Sequence, residues 1–328
     1  VTGSIGHHED MQNGPPAPAT GVPAAHGSAF EWVVFVALGA IWGSSYLFIK
    51  IGVDTLTPFT LVAVRLAIGA LFLLAVVAVS RVRVWLGPRM LGHLVVLSVF
   101  SVVLPFTLIT WAQVSVSSSL ASILTSTVPL FVIVIAALAL PDEGITTNKV
   151  VGLLVGFAGV VILTGGPAGG GELLPQIALL GAAASYGVGG VYGRRTVSGL
   201  PPMVPAAVQV SFAFLISATL ALVLERPFSL DYTPAAIGSL LWLGILGSGV
   251  AYLAFFRLLR SWGATRTSLV TYLTPVVGIA LGALVASEPV DLPMILGTIL
   301  VIGGIGIVNL RFTPTALLRR RPGQRPAS

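Results

Sequence analysis

Ten apolar runs, each 18 to 22 residues long, follow one another at 32–50, 58–79, 93–112, 119–140, 149–166, 176–193, 203–224, 235–256, 267–287 and 293–310. A helix of about 20 apolar residues rises ~30 Å, which matches the hydrocarbon core of a bilayer. Lipid offers no water to satisfy an open sheet edge, so spans of this length are helices. The composition agrees, since 55% of the 328 residues are hydrophobic and only 9% are charged, against about 25% charged in soluble domains. The expected fold is an all-α integral membrane protein with ten transmembrane helices.

An even number of spans puts both termini on one side, and the basic residues say which. With the N-terminus inside, the inner loops and tail hold Arg81, Arg83, Arg89, Lys149, Arg194, Arg195, Arg257, Arg260, Arg266, Arg311, Arg319, Arg320, Arg321 and Arg325, leaving Lys50 and Arg226 outside. The positive-inside rule therefore predicts both termini in the cytoplasm of a cell-membrane protein. The net charge of +6 is explained by these loops, so the bilayer and not a nucleic acid is the expected partner. Residues 1–30 are rich in Gly, Pro, Ala and His without an apolar run and read as a disordered cytoplasmic tail, with 311–328 as a basic one. No cleavage pattern follows the first span, which is expected to remain in the protein. With no Cys, no disulfide or thiol chemistry is available.

The halves repeat. Leu120–Leu140 laid over Arg266–Ala286 pairs Ser122 with Ser268, Thr125 with Thr271, Pro129 with Pro275, Ile133 with Ile279, Ala137 with Ala283 and Leu138 with Leu284. In the next span Gly152 pairs with Gly297 and Gly159 with Gly304. The repeats are expected at 31–166 and 176–310, joined by a linker at 167–175. Five spans per repeat is odd, so the second repeat enters the membrane inverted, which is the architecture of carriers with a midplane site.

Several motifs resemble those of EamA-type members of the drug/metabolite transporter superfamily. They are Trp42-Gly43-Ser44-Ser45-Tyr46 in the first span, Trp111-Ala112-Gln113 with Ser119-Leu120-Ala121-Ser122 and Thr127-Val128-Pro129, and Ser268-Leu269-Val270-Thr271-Tyr272-Leu273-Thr274-Pro275 in the ninth. The resemblance covers about 32–310. It implies a ten-helix carrier of small organic molecules, often an exporter of amino acids, other metabolites or toxic compounds. The sequence departs from the family's more frequent Gly-Glu at Asp142-Glu143-Gly144 and Ser287-Glu288-Pro289.

Arg65 is the one formal charge well inside a span, seven residues past Pro58 and so ~10 Å from the helix end. At that depth an Arg either faces a cavity and grips a carboxylate in a bidentate manner, or snorkels outward toward Asp54. Laying Lys50 on Arg194 sets Gln209 opposite Arg65, so an anion grip would be one-sided. Tyr46, Tyr186, Tyr252 and Tyr272 are rings with polar edges suited to an amphipathic pocket, as is Trp111 unless it belongs to an interface belt. Ser45, Gln113 and Gln209 add hydrogen-bonding capacity, against the alternative that they bond their own helices. Pro129 and Pro275 are repeat-related kinks that serve as hinges or simply as shape. Lys50 and Glu288 end the first and ninth spans and are gate candidates, Lys50 by pairing with Glu288 or Asp291. The plainer readings are an interface anchor for Lys50 and a cap on the following helix for Glu288.

These features exclude several classes. No Asp or Glu lies mid-membrane to relay protons, no phosphate loop precedes a Lys, and no soluble domain could hydrolyse ATP. An intramembrane enzyme would need a carboxylate pair, a His cluster or an activated nucleophile at depth, so no catalytic residue, cofactor or metal is expected. The leading expectation is a secondary transporter of a small molecule, directed outward, with a membrane sensor or scaffold as the alternative.

Overall fold

The computed structural model describes residues 29–81, 85–140, 146–165, 173–197, 200–201, 203–230, 232–267 and 269–309. The expected tails fall outside this range except at Ala29, Phe30 and the edge of the last span, as does Asp142-Glu143-Gly144. The described residues form ten helical spans: α1 (Ala29–Val53), α2 (Pro58–Val79), α3 (Pro88–Ala112), α4 (Ser118–Ala139), α5 (Thr147–Gly165), α6 (Leu173–Thr196), α7 (Met203–Leu224), α8 (234–267), α9 (Val270–Val285) and α10 (Leu292–Asn309). The end of the bundle where α1 begins is called the near face, and the end where it finishes is the far face.

Several span ends differ from expectation, α3 for one beginning at Pro88 and not at 93. The helix α6 begins at Leu173, within the stretch read as linker. The helix α8 continues eleven residues past 256, to Thr267. Its last turns are held by α1: Trp262 packs edge-on against Trp32 at 4.8 Å and donates its indole N–H to Glu31 at 2.9 Å.

The inverted symmetry is visible in which residues touch. Gly152 of α5 lies against the Gly304 carbonyl of α10, while Gly159 lies against the Gly297 carbonyl. Since Gly152 and Gly297 are repeat partners, as are Gly159 and Gly304, the two contacts are one contact seen twice, across a pseudo-two-fold axis. Small residues here let the backbones approach without side chains between them. A second pair obeys the same rule at an offset of 144 on α1 and α6. Gly43 of α1 packs on Val277 of α9, and Gly187 of α6 packs on Phe131 and Val132 of α4. Thus α1 completes the second half of the bundle and α6 the first.

The repeat is also written into irregular backbone. At an offset of 146, Pro88, Gly92, Leu94 and Leu97 of α3 match Pro234, Gly238, Leu240 and Leu243 of α8. Both helices then widen into π-helical turns, Val99–Val103 in α3 and Trp242–Val250 in α8. In α3 the Leu104 N–H reaches back to the Val99 carbonyl, and Pro105 has no N–H to bond Phe100 in the same way, so Ser185 of α6 donates its hydroxyl to the freed Phe100 carbonyl at 2.7 Å. In α8 no proline follows. Glycines at 244, 247 and 249 mark the turn instead.

The expected pair of proline kinks is asymmetric. Pro129 opens the second half of a broken α4, whose first half Ser118–Thr125 ends two residues before Val128, whereas Pro275 sits inside an unbroken α9. Proline is well placed in the first turn of a helix, where its missing N–H costs nothing, so at Pro129 the chain breaks before the ring and does not bend at it.

Candidate functional site

The helix α2 carries Arg65 into the bundle, and its start is fixed from the second repeat. Glu225, just past α7, accepts the Phe59 and Thr60 backbone N–H groups at 3.0 and 2.7 Å and the Thr57 and Thr60 hydroxyls at 2.5 and 2.7 Å. A carboxylate on the free N–H groups of a helix start is a strong cap, helped by the helix dipole. One face of α2 (Val62, Leu66, Ala70, Leu73) then packs on Ala206, Val210 and Ala213 of α7. The adjoining face turns Arg65 inward.

Arg65 is only 4% exposed, so it does not snorkel to Asp54. Its guanidinium carbon lies over the Phe106 ring at 4.2 Å from the centroid, and one terminal nitrogen donates to the Ser248 hydroxyl at a long 3.4 Å. The Nε–H is buried without an acceptor. The phenols of Tyr186, Tyr252 and Tyr46 lie near the guanidinium, and no described carboxylate hydrogen-bonds to it. A buried cation held only by a ring face, a hydroxyl and phenols is short of acceptors, and a buried charge ordinarily finds an ion pair.

Ser45 joins this group across α8. A Cβ built on Gly247 would lie 3.2 Å from the Ser45 hydroxyl oxygen and 3.5 Å from Arg65 Nη2. Four of the side chains expected in the cavity, Ser45, Tyr46, Tyr186 and Tyr252, therefore gather around Arg65. Tyr46 is fixed by pairing with Thr125, whose own hydroxyl proton goes to the Ala121 carbonyl at 2.6 Å.

The other candidates lie elsewhere. Gln113 is fully buried and donates to the Tyr46 backbone carbonyl at 2.9 Å, tying α3 to α1 one layer behind the rings. Trp111 is 41% exposed and shares a face of α3 with the exposed Leu104, so it belongs to the lipid-facing side, in the position of an interface-belt ring. Gln209 is half-buried on α7 with no hydrogen bond to Arg65, and Tyr272 packs beside the largest apolar cluster. On the far face Lys50 does not pair with Glu288 or Asp291. Its ammonium donates to the Gln113 and Val116 carbonyls at 2.9 and 3.2 Å, closing the end of α3. Glu288 accepts the Ser118 and Ser119 backbone N–H groups at 2.6 and 2.9 Å and the Ser119 hydroxyl at 2.5 Å. It therefore caps α4 of the other repeat, while the following helix is capped by Asp291 through the Met294 N–H at 2.8 Å.

Two members of the site escaped the sequence reading, Phe106 and Gly247. The offset that matches α3 to α8 pairs Phe106 with Tyr252, which would have marked it. Chemically the group is a buried guanidinium set in a mostly aromatic wall. Among the described residues no three His, Asp or Glu side chains gather as a metal site.

Ten spans in inverted halves, with a cation buried where α2 of the first repeat meets α8 of the second, define a polytopic membrane transporter. The chain belongs to the EamA-like transporter family, whose model matches it twice, over residues 30–165 and 173–310. Its relatives include the uncharacterized transporter YoaV of Bacillus subtilis (strain 168), 24% identical over 85% of this chain and 96% of its own. An uncharacterized transporter of Archaeoglobus fulgidus is 28% identical over 85% and 98%, and the uncharacterized inner membrane transporter YedA of Escherichia coli (strain K12) is 29% identical over 77% and 81%. A chain of known crystal structure shares the fold with a TM-score of 0.62 over 86% of this chain and 96% of its own, at 20% identity.

Proposed function

We propose that this transporter is a secondary carrier that moves small amphipathic carboxylates, aromatic amino acids among them, outward across the cell membrane by alternating access, with both termini in the cytoplasm. The observation that carries the reading is Arg65, buried at 4% exposure with an unused Nε–H and no carboxylate hydrogen-bonded to it among the described residues. A substrate carboxylate would supply the acceptors that the protein withholds, as a planar guanidinium favours. Tyr46, Tyr186 and Tyr252 would take the apolar body and its polar edge, with Ser45 as a further donor. Trp111, Gln113, Gln209 and Tyr272 frame this set and do not complete it.

Rocking of the repeats would open the site to each side in turn, about the break at Pro129 and about Pro275, and Lys50 and Glu288 would then hold the far face closed. The test is flux in proteoliposomes of labelled phenylalanine and of phenylalaninamide, which lacks the carboxylate, with and without a pH gradient, for the native chain and Arg65→Ala. Saturable phenylalanine flux that falls at least tenfold in Arg65→Ala, with amide flux little changed, is expected. Equal loss of both substrates would make Arg65 structural, and accumulation driven by the gradient would overturn the uncoupled reading.

A further inference from the structure

Three glycines lie within the π-helical turn of α8, and two of them are accounted for by packing. A Cβ at Gly244 would meet Ile68 Cβ at 2.6 Å and the Arg65 carbonyl at 3.0 Å, and one at Gly249 would meet the Phe72 ring at 2.5 Å. Gly247 is different. A Cβ there would meet only the Ser45 hydroxyl oxygen at 3.2 Å, Arg65 Nη2 at 3.5 Å and the Trp242 carbonyl at 3.9 Å. Its φ lies outside the left-handed region, so the backbone does not require glycine either. No apolar neighbour excludes a methyl group at 247, and the space a methyl would take is bounded by two polar atoms of the candidate site.

The repeat supplies a comparison inside the same chain. The partner of Gly247 is Ser101, in the π-helical turn of α3, and the partner of Ser45 is Gly189 of α6. Ser101 sits tightly against Gly189, so the equivalent space in the first half is filled by the Ser101 side chain of α3. In the second half serine and glycine have changed places across the contact. Arg65 enters from α2 where its partner on α7 is the neutral Gln209. The half of the bundle that carries the buried cation is thus the half in which the facing helix carries no side chain, and π-helical turns recur at functional sites for this capacity to re-aim groups.

We infer that Gly247 is a specificity-determining residue, which sets how much bulk a substrate carries on the carbon next to its carboxylate when that carboxylate is held at Arg65. The inference rests on the carboxylate reading of Arg65. A hydrogen at that carbon fits the gap beside Ser45, and a methyl group fits only because residue 247 has no side chain.

The experiment measures dissociation constants of phenylalanine and α-methylphenylalanine, which differ by one methyl group on that carbon, for the full-length chain in detergent. Variants are Gly247→Ala, Ser45→Ala, the two combined, and Arg65→Ala, each checked for unaltered gel-filtration behaviour and thermal unfolding. For Gly247→Ala, α-methylphenylalanine binding is expected to weaken tenfold or more and phenylalanine by less than threefold. Adding Ser45→Ala, which removes the oxygen that the new methyl would meet, is expected to restore part of the loss. Ser45→Ala alone widens the same gap and should shift preference toward α-methylphenylalanine, which keeps the test decisive if Gly247→Ala fails to fold. Equal effects on both ligands, or none, would overturn the role of Gly247 while loss of binding in Arg65→Ala still upheld the carboxylate reading. Native protein that binds neither ligand would overturn both.

Discussion

The guanidinium of Arg65 lies on the face of Phe106, 4.2 Å from the ring centroid, and this contact joins α2 to α3 at the depth where the two repeats meet. A desolvated cation–π pair contributes about 2 kcal/mol, and the ring compensates the burial of this charge together with the long hydrogen bond to Ser248 at 3.4 Å. Phe106→Leu keeps much of the apolar volume and removes the quadrupole, so it should lower the thermal unfolding temperature of the protein in detergent, whereas Phe106→Tyr should not. Phenylalanine should recover more of the lost stability in Phe106→Leu than it adds to the native chain, because a bound carboxylate then becomes the main counterweight to Arg65. Ligand-induced shifts of equal size in both proteins would rule this out.

At the crossing of α5 and α10 a side chain has nowhere to go. A Cβ on Gly304 would lie 2.5 to 2.7 Å from the backbone of Gly156 and Gly152, and backbone cannot give way as a rotamer does. Gly303, one residue earlier, has nothing within 4 Å. Gly304→Val should therefore cost more than the 1–3 kcal/mol usual for overpacking, and Gly303→Ala should be neutral or slightly stabilising. Thermal unfolding of the two variants side by side reads this directly, and similar behaviour of the two would mean that the helices do not cross at these glycines.

The spans and their inversion were legible in the sequence because bilayer thickness fixes run length and because odd-numbered repeats must invert. The depth of Arg65 was legible too, since its place seven residues into a span follows from the run length, and the sequence left open whether it snorkels or is buried. The periodicity of an apolar helix does not tell which face meets lipid and which meets protein, because both are apolar. Hence Trp111 reads equally as a cavity wall or an interface-belt ring and is 41% exposed, and Gln113 reads as a substrate contact or a helix tie and donates to the Tyr46 carbonyl. The partners of Lys50 and Glu288 were out of reach for another reason. Each binds backbone groups of a helix end, and the sequence gives no sign of which helix end lies nearest in space. Gly247 was missed because a residue whose contribution is empty space leaves no chemical mark.

Lys50 and Glu288 both hold far-face helix ends, Lys50 at the Gln113 and Val116 carbonyls just past α3 and Glu288 at the first N–H groups of α4. Hydrogen bonds to charged groups contribute about 1.5–3 kcal/mol. If these contacts close the far face in one conformation only, Lys50→Met and Glu288→Gln should each shift the population toward the state open on that face, and the double variant should do so further. Accessibility of a single cysteine at Ser45 to a water-soluble maleimide measures that shift. Increased labelling supports gating. Lower thermal stability with unchanged labelling would reduce both residues to helix caps.

The absence of native cysteine makes the orientation open to direct measurement. Asp54, in the turn between α1 and α2, lies on the far face, and Arg89, in the first turn of α3, lies on the near face. If the near face is cytoplasmic, as the positive-inside rule predicts, Asp54→Cys should react with a membrane-impermeant maleimide in intact bacterial cells and Arg89→Cys should react only after the membrane is opened. The reverse pattern would place both termini outside and would invert the proposed direction of transport with them. Labelling of both sites in intact cells would show the chain inserted in two orientations, and neither Arg65 nor the far-face contacts could then be assigned to one side of the membrane.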